Sequence, residues 1–319
     1  MAVQVRPTAP SFPHTLFLRF GNGTSHFSLI LVSMTPSYKL VLMALLPKNH
    51  LSRWVGWAVR RKWPFQLHTL VRNTLIKLYR IDTEEAELGL DAYPTFGEFF
   101  IRRLKAGARP LAPVELISPV DGLVTQRGLI QTEGRLLQAK DMDYALKDLL
   151  PPQWDAADFI EGFYLTLYLA PYNYHRVHAP CAMKVERIAA IPGRLWPVNG
   201  WSVNGLDQIF IRNERVLVGG QGRTGKVVLA LIGATNVGRI TLDHRPGFHA
   251  NATIAARKKM LPGSKPQPYE LARGEGLGCF EMGSTVVLLL SKEWVPTLLP
   301  WVLEEGPKPI RMGEALALS

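Results

Sequence analysis

At 319 residues, 47% of them hydrophobic and 20% charged, the chain can bury a full core and form one large domain with an appendage, which excludes a disordered protein. Its net charge of +11 sits in residues 1–80, which carry eleven Lys and Arg and no Asp or Glu, leaving 26 basic side chains against 26 acidic ones beyond them. The only cysteines, Cys181 and Cys279, are far apart and lack CxxC spacing, so neither a disulfide framework nor a zinc site is suggested and both read as buried or incidental thiols.

Residues 1–33 match neither a signal peptide nor a folded segment, so Met34 is a candidate start; an acid-free, Arg-bearing N-terminus also suits a mitochondrial transit peptide. The best apolar runs, Phe27–Val32 and Tyr38–Leu46, are separated by Pro36 and fall short of the ~18 to 20 residues needed to span a bilayer. The chain is therefore expected to lie on a membrane and not to cross it. Trp54, Trp57 and Trp63 beside Arg53, Arg60, Arg61 and Lys62 give the mixture expected where rings sit at headgroup level and cations meet an anionic membrane surface. Residues 66–80 have helical spacing, with Leu67, Leu70, Val71, Leu75, Leu78 and Tyr79 on one face and Arg72, Asn73, Lys77 and Arg80 mostly on the other. That face suits packing on the domain core and membrane docking equally. Helical spacing continues through Thr95–Arg103, so residues 34–105 form a basic helical segment.

From about residue 106 the pattern changes to short runs broken by Gly, Pro and Asn. Strands are predicted over 123–130, 163–170, 183–191, 215–218, 226–232, 238–242 and 285–290. The fold expected is α+β, with membrane-docking helices followed by a β-rich, mainly antiparallel catalytic domain over 106–319. Gly220–Lys226 has the spacing of a phosphate-binding loop, but such a loop must open a helix, and Val227–Ile232 reads as a buried strand. Val227 also stands where a magnesium-binding hydroxyl would be needed. A hairpin turn is expected there.

Three short segments carry chemistry. In Ser118-Pro119-Val120-Asp121-Gly122 a turn leaves a carboxylate at the lip of a strand, although Asp121 alone reads as a turn-former. In Tyr174-His175-Arg176-Val177-His178 two histidines three apart, held between Pro171 and Pro180, form a candidate acid/base station; a metal pair lacks nearby ligands to complete it, and a structural role stays open for either ring. In Met282-Gly283-Ser284-Thr285 the glycine lets the backbone bend so that the serine hydroxyl can approach the preceding carbonyl, though the segment alone reads as a loop entering a buried strand.

Together and in this order the three segments resemble the phosphatidylserine decarboxylase family, whose pattern is an Asp-Gly turn, a YHRVH segment and a C-terminal LGST segment. Weaker similarity runs from about residue 40 to 300. The chain departs from the pattern at Met282 (usually Leu), at Gly276 (Glu in many relatives) and over 243–265, so His244 and His249 receive no role. The resemblance implies that Asp121 orients His178, that His178 takes the Ser284 proton, and that Ser284 attacks the carbonyl of Gly283. The chain would split into 1–283 and 284–319, which stay associated, with Ser284 converted to a pyruvoyl group that serves as cofactor without any metal. The pyruvoyl ketone would form a Schiff base with phosphatidylserine, CO₂ would leave, and His175 and His178 would protonate the carbanion or hold the substrate carboxylate to give phosphatidylethanolamine. The resemblance further implies a peripheral enzyme on the cytoplasmic face of a bacterial inner membrane, allows a homodimer and includes no nucleic acid partner. Two rivals use the same residues: a serine hydrolase, which would lack its usual G-x-S-x-G elbow, and an inactive lipid-binding relative.

Overall fold

Val286–Leu290 and Leu165–Leu169, two apolar runs far apart in the chain, lie side by side at the centre of a sheet. The computed structural model describes Met43 and residues 45–139, 142–235, 239–250, 268–281 and 284–318, all within one compact unit. Thirteen strands follow one another among the described residues: β1 (Gly122–Leu129), β2 (Arg135–Ala139), β3 (Met142–Ala145), β4 (Phe163–Leu169), β5 (Arg176–His178), β6 (Met183–Ile191), β7 (Arg215–Gly222), β8 (Lys226–Ile232), β9 (Ile240–Leu242), β10 (Tyr269–Leu271), β11 (Gly276–Phe280), β12 (Ser284–Leu290) and β13 (Lys308–Ile310).

Eight of them form one sheet in the order β10-β6-β7-β8-β12-β4-β1-β13, and every strand pair in it is antiparallel. The central strands are buried on both faces: all seven residues of β12 are buried, as are all but one of β4. Continuous apolar runs can occupy such positions because no face has to meet water. A second sheet, β5-β11-β9, carries the histidine segment, and β2 pairs with β3. The expected α+β, mainly antiparallel body is what forms. The β7–β8 hairpin turns over residues 223–225, with the Gly222 amide donating to the Gly225 carbonyl (2.9 Å), and no helix follows it; residues 220–222, read as part of the turn, continue β7 past the expected end at 218.

Among the described residues the α-helices α1 (Lys48–Val59), α2 (Phe65–Tyr79) and α3 (Phe96–Phe100) precede the sheet. Pro64 sets up the first turn of α2, and Arg80 ends that helix in the left-handed conformation (φ 53°). Thr95 caps α3, its hydroxyl accepting from the Glu98 amide at 3.2 Å. Tyr93, Phe96, Phe99 and Phe100 form a small core of their own, against which Leu75, Ile76 and Tyr79 pack. The apolar face read over 66–80 is therefore divided: Leu75 and Tyr79 pack inward, whereas Leu67, Leu70, Val71 and Leu78 stay exposed. Arg72, expected on the polar side, is buried instead. Its guanidinium reaches the Leu90 carbonyl (2.7 Å) and the Asp91 carboxylate (2.9 Å), which satisfies the charge that burial would otherwise strand. No helix among the described residues is long and apolar enough to cross a membrane. Phe27–Val32 and most of Tyr38–Leu46 lie outside those residues.

Candidate active site

Sheet order brings the three chemical segments to one end of β4. Leu123, just after Asp121-Gly122, lies opposite Tyr168, and Ser284 lies opposite Leu169 from the other side. One strand separates Asp121 from Ser284, and at an inter-strand spacing of about 4.8 Å their backbones are roughly 10 Å apart. The chain leaving β4 then carries His175 and His178 past the same end. Two backbone hydrogen bonds tie the segments together: the His178 amide donates to the Pro119 carbonyl (2.9 Å), and the Phe280 amide donates to the His175 carbonyl (3.0 Å). Gly122 is required where β1 meets β4, because a Cβ there would lie 2.5 Å from the Tyr168 carbonyl oxygen.

The His178 ring is oriented by two partners. Its Nδ1 is 2.8 Å from the Gly274 carbonyl and its Nε2 is 3.0 Å from the Tyr174 hydroxyl. A carbonyl can only accept, so Nδ1 carries the proton and Nε2 presents its lone pair to the Tyr174 O–H. Burial lowers the His178 pKa, so the ring is neutral and basic near pH 7. Burial pushes the Tyr174 phenol up to about 12, which keeps it a donor. His175 has the same tautomer, with Nδ1 donating to the Asn173 carbonyl at 2.8 Å, and burial drives its pKa down to about 3. Its ring lies against Phe100 of α3, with centroids 4.2 Å apart.

Three polar atoms at this end of the sheet are buried with no hydrogen-bond partner among the described residues: His175 Nε2, Ser284 Oγ and Thr285 Oγ1. Leaving such groups unpaired costs about 1 to 3 kcal/mol each, and such sites call for a chemical explanation. Gly283, the expected acyl partner, lies outside the described residues.

Asp121 is held by others than His178. Arg109 grips its carboxylate with Nε on Oδ1 (2.9 Å) and Nη2 on Oδ2 (2.6 Å), and the Met312 amide donates to Oδ1 (2.8 Å). No hydrogen bond joins Asp121 to His178 among the described residues. The carboxylate acts on the ring through space, favouring its protonated form. Nothing in the spacing of Arg109 announced the pair. Tyr174 stood inside the quoted histidine segment, four residues before His178, so its contact had a visible signal; the Gly274 carbonyl had none.

His178 opens onto a cleft of about 450 Å³ whose wall includes Arg103, Lys105, Arg109, Tyr174 and Arg176. Cations on such a wall suit phosphate and carboxylate groups, although Glu87, Asp243 and Glu275 line it too. Asp243 pairs with Arg176 at 2.6 Å, and its Oδ2 lies 2.6 Å from where a Cβ on Gly276 would stand. The carboxylate of Asp243 thus occupies the space a side chain at 276 would enter. His244 lines the cleft too, 3.2 Å from Glu275 and stacked on Tyr269, while His249 contacts the Ala250 carbonyl. Ser284 is not part of the cleft wall.

A family profile described as phosphatidylserine decarboxylase matches residues 96–318. A phosphatidylserine decarboxylase proenzyme of Anaeromyxobacter sp. (strain K) is 40% identical over 279 residues, covering 86% of this chain and 95% of that protein. The proenzyme of Myxococcus xanthus is 40% identical over 257 residues (80% and 89%), and that of Polaromonas naphthalenivorans 36% over 275 (86% and 93%). With the profile spanning well over half of its length and these relatives covered almost end to end, the chain belongs to the phosphatidylserine decarboxylase family.

Proposed function

We propose that this chain is a proenzyme that cuts itself between Gly283 and Ser284 and then decarboxylates phosphatidylserine to phosphatidylethanolamine at an anionic membrane surface. The observation that carries this reading is the buried, unpartnered Ser284 hydroxyl at the point where the Asp121 and histidine segments converge. The proenzyme names of the relatives support it.

In this reading the Tyr174 hydroxyl leaves His178 Nε2, which takes the proton of Ser284 Oγ as that oxygen bonds to the Gly283 carbonyl carbon. The C–N bond breaks, the amine takes a proton, and an ester remains. Loss of the Ser284 Cα proton then expels the Gly283 carboxylate, leaving dehydroalanine, which tautomerises and is hydrolysed with release of ammonia. The ketone formed supplies an electron sink for the bond broken when CO₂ leaves. His178 is suited to its role by a neutral ring of fixed tautomer, and Asp121 by stabilising that ring once protonated. His175 offers a buried, free lone pair for handling the substrate proton. Arg103, Lys105 and Arg109 line the cleft where an anionic headgroup would lie.

Residues 284–319 carry β12, which is bonded to β4 on one side and β8 on the other, and β13 at the sheet edge. The two chains would therefore stay together after scission. Residues 34–105 are proposed as the membrane-associating segment and 106–319 as the catalytic body. Support comes from Trp54 (64% exposed), Phe65 (69%), Leu70 (65%) and Leu78 (67%) on α1, on α2 and at their junction, with Arg61 stacked on Trp57 at 4.8 Å. A cationic, ring-bearing surface of this kind suits the anionic cytoplasmic leaflet of a bacterial inner membrane.

The test is direct. Wild-type protein should split and release CO₂ from phosphatidylserine vesicles, and Ser284→Ala should do neither. A Ser284→Ala protein that still splits or still releases CO₂ overturns the reading.

A further inference from the structure

Glu281 is three residues before Ser284 and immediately follows β11. Its carboxylate is held from two directions. Arg60, in the turn after α1, places Nη1 2.5 Å from Oε2. Arg239, just before β9, brings Nε to 3.1 Å from Oε1 in a charge contact that lacks hydrogen-bonding geometry, and its carbonyl accepts from the Glu281 amide at 3.0 Å. The Glu281 side chain is only 11% exposed, whereas that of Arg60 is 37% exposed. A second contact runs parallel to this one. Gly97 of α3 packs against the end of α1, where an added Cβ would meet the Val59 carbonyl at 3.3 Å, and Phe100 of the same helix lies on His175.

A peptide bond that must be attacked by its own serine needs both flanks held, since a misplacement of about 1 Å can cost on the order of a hundredfold in rate. Ser284 is fixed on one flank by pairing with Leu169. Glu281 is the last described residue on the other, and it is tied through Arg60 to a helix some 220 positions earlier in the chain.

We propose that Arg60 and Arg239 form a clamp on Glu281 that positions the chain entering the Gly283–Ser284 bond, so that self-cleavage runs at its full rate when α1 is seated on the catalytic body. Glu281 and Arg60 are positioning residues and touch no reacting atom. The inference rests on the self-cleavage reading above.

The experiment is a double-mutant cycle on processing, with the full chain made in a cell-free system and the split fraction followed by mass over time. Glu281→Gln keeps the shape of the side chain and removes its charge, and Arg60→Ala removes the outer arm. Each should slow splitting about tenfold, the double variant should be no slower than the slower single one, and Arg60→Lys should restore the rate to within about twofold. Thermal unfolding of Glu281→Gln in a Ser284→Ala background should match that of Ser284→Ala alone, which separates positioning from loss of fold. Splitting of Glu281→Gln at the wild-type rate, or single effects that multiply in the double variant, overturns the clamp and leaves the self-cleavage reading standing. A wild-type chain that never splits, like its Ser284→Ala control, overturns both.

Discussion

His175 has its Nδ1 proton committed to the Asn173 carbonyl, and burial holds its pKa near 3. In the unfolded chain the same ring titrates near 6.5. A folded pKa below the unfolded one means that the unfolded state binds more protons, so the stability involved is fully present above about pH 6.5 and is lost as pH falls. By pH 5 the loss from this ring is on the order of 2 kcal/mol. His178, lowered in the same direction, adds to the same window. In the uncleaved Ser284→Ala background, the denaturation midpoint should therefore fall between pH 7 and pH 5, and His175→Gln should shrink that fall without abolishing it. An equal fall in both proteins would remove His175 from the balance. For the chemistry, His178→Ala should slow splitting by about a hundredfold or more, the usual contribution of a positioned base, as read by the appearance of the small fragment. Asp121, His175, His178 and Ser284 were singled out by the family resemblance, since each segment alone reads as a turn, a structural ring or a loop entering a strand, and sheet order brings those segments to one end of β4. Arg109 was not, since its hold on Asp121 spans two loops with no periodicity to relate them.

Strands with long apolar runs, β4, β8 and β12, were readable to within a residue or so at each end, because a sheet buried on both faces leaves a continuous apolar signal. β2, β3, β5, β10, β11 and β13 are three to five residues long, too short for alternation to rise above composition. The helix face over 66–80 was found, but its division between packed and exposed residues depends on the aromatic cluster of α3, which the periodicity of α2 does not encode. Leu288, fully buried where β12 lies between β4 and β8, should cost about 2 to 5 kcal/mol when changed to Ala, measured by denaturant unfolding of the Ser284→Ala protein. A cost under about 1 kcal/mol would mean that this strand is not central. At the helices, replacing Trp54 and Phe65 by Ser should weaken binding to anionic vesicles severalfold in a flotation assay and leave splitting unchanged, because both rings face solvent and are not part of the small core. Unchanged flotation would remove this surface from docking.

Across the whole molecule, the charge asymmetry and the sheet topology divide the work. Cations and exposed rings occupy the N-terminal helices, while the sheet holds Ser284 in a strand paired on both sides. The same topology would hold the two chains of the proposed scission together. Intact-mass measurement on active, purified enzyme addresses this most directly. Two masses are expected, the smaller about 4 kDa of the 35.6 kDa total and lighter by one ammonia than residues 284–319 with a free serine terminus. A single unbroken mass from a preparation that decarboxylates phosphatidylserine would contradict it.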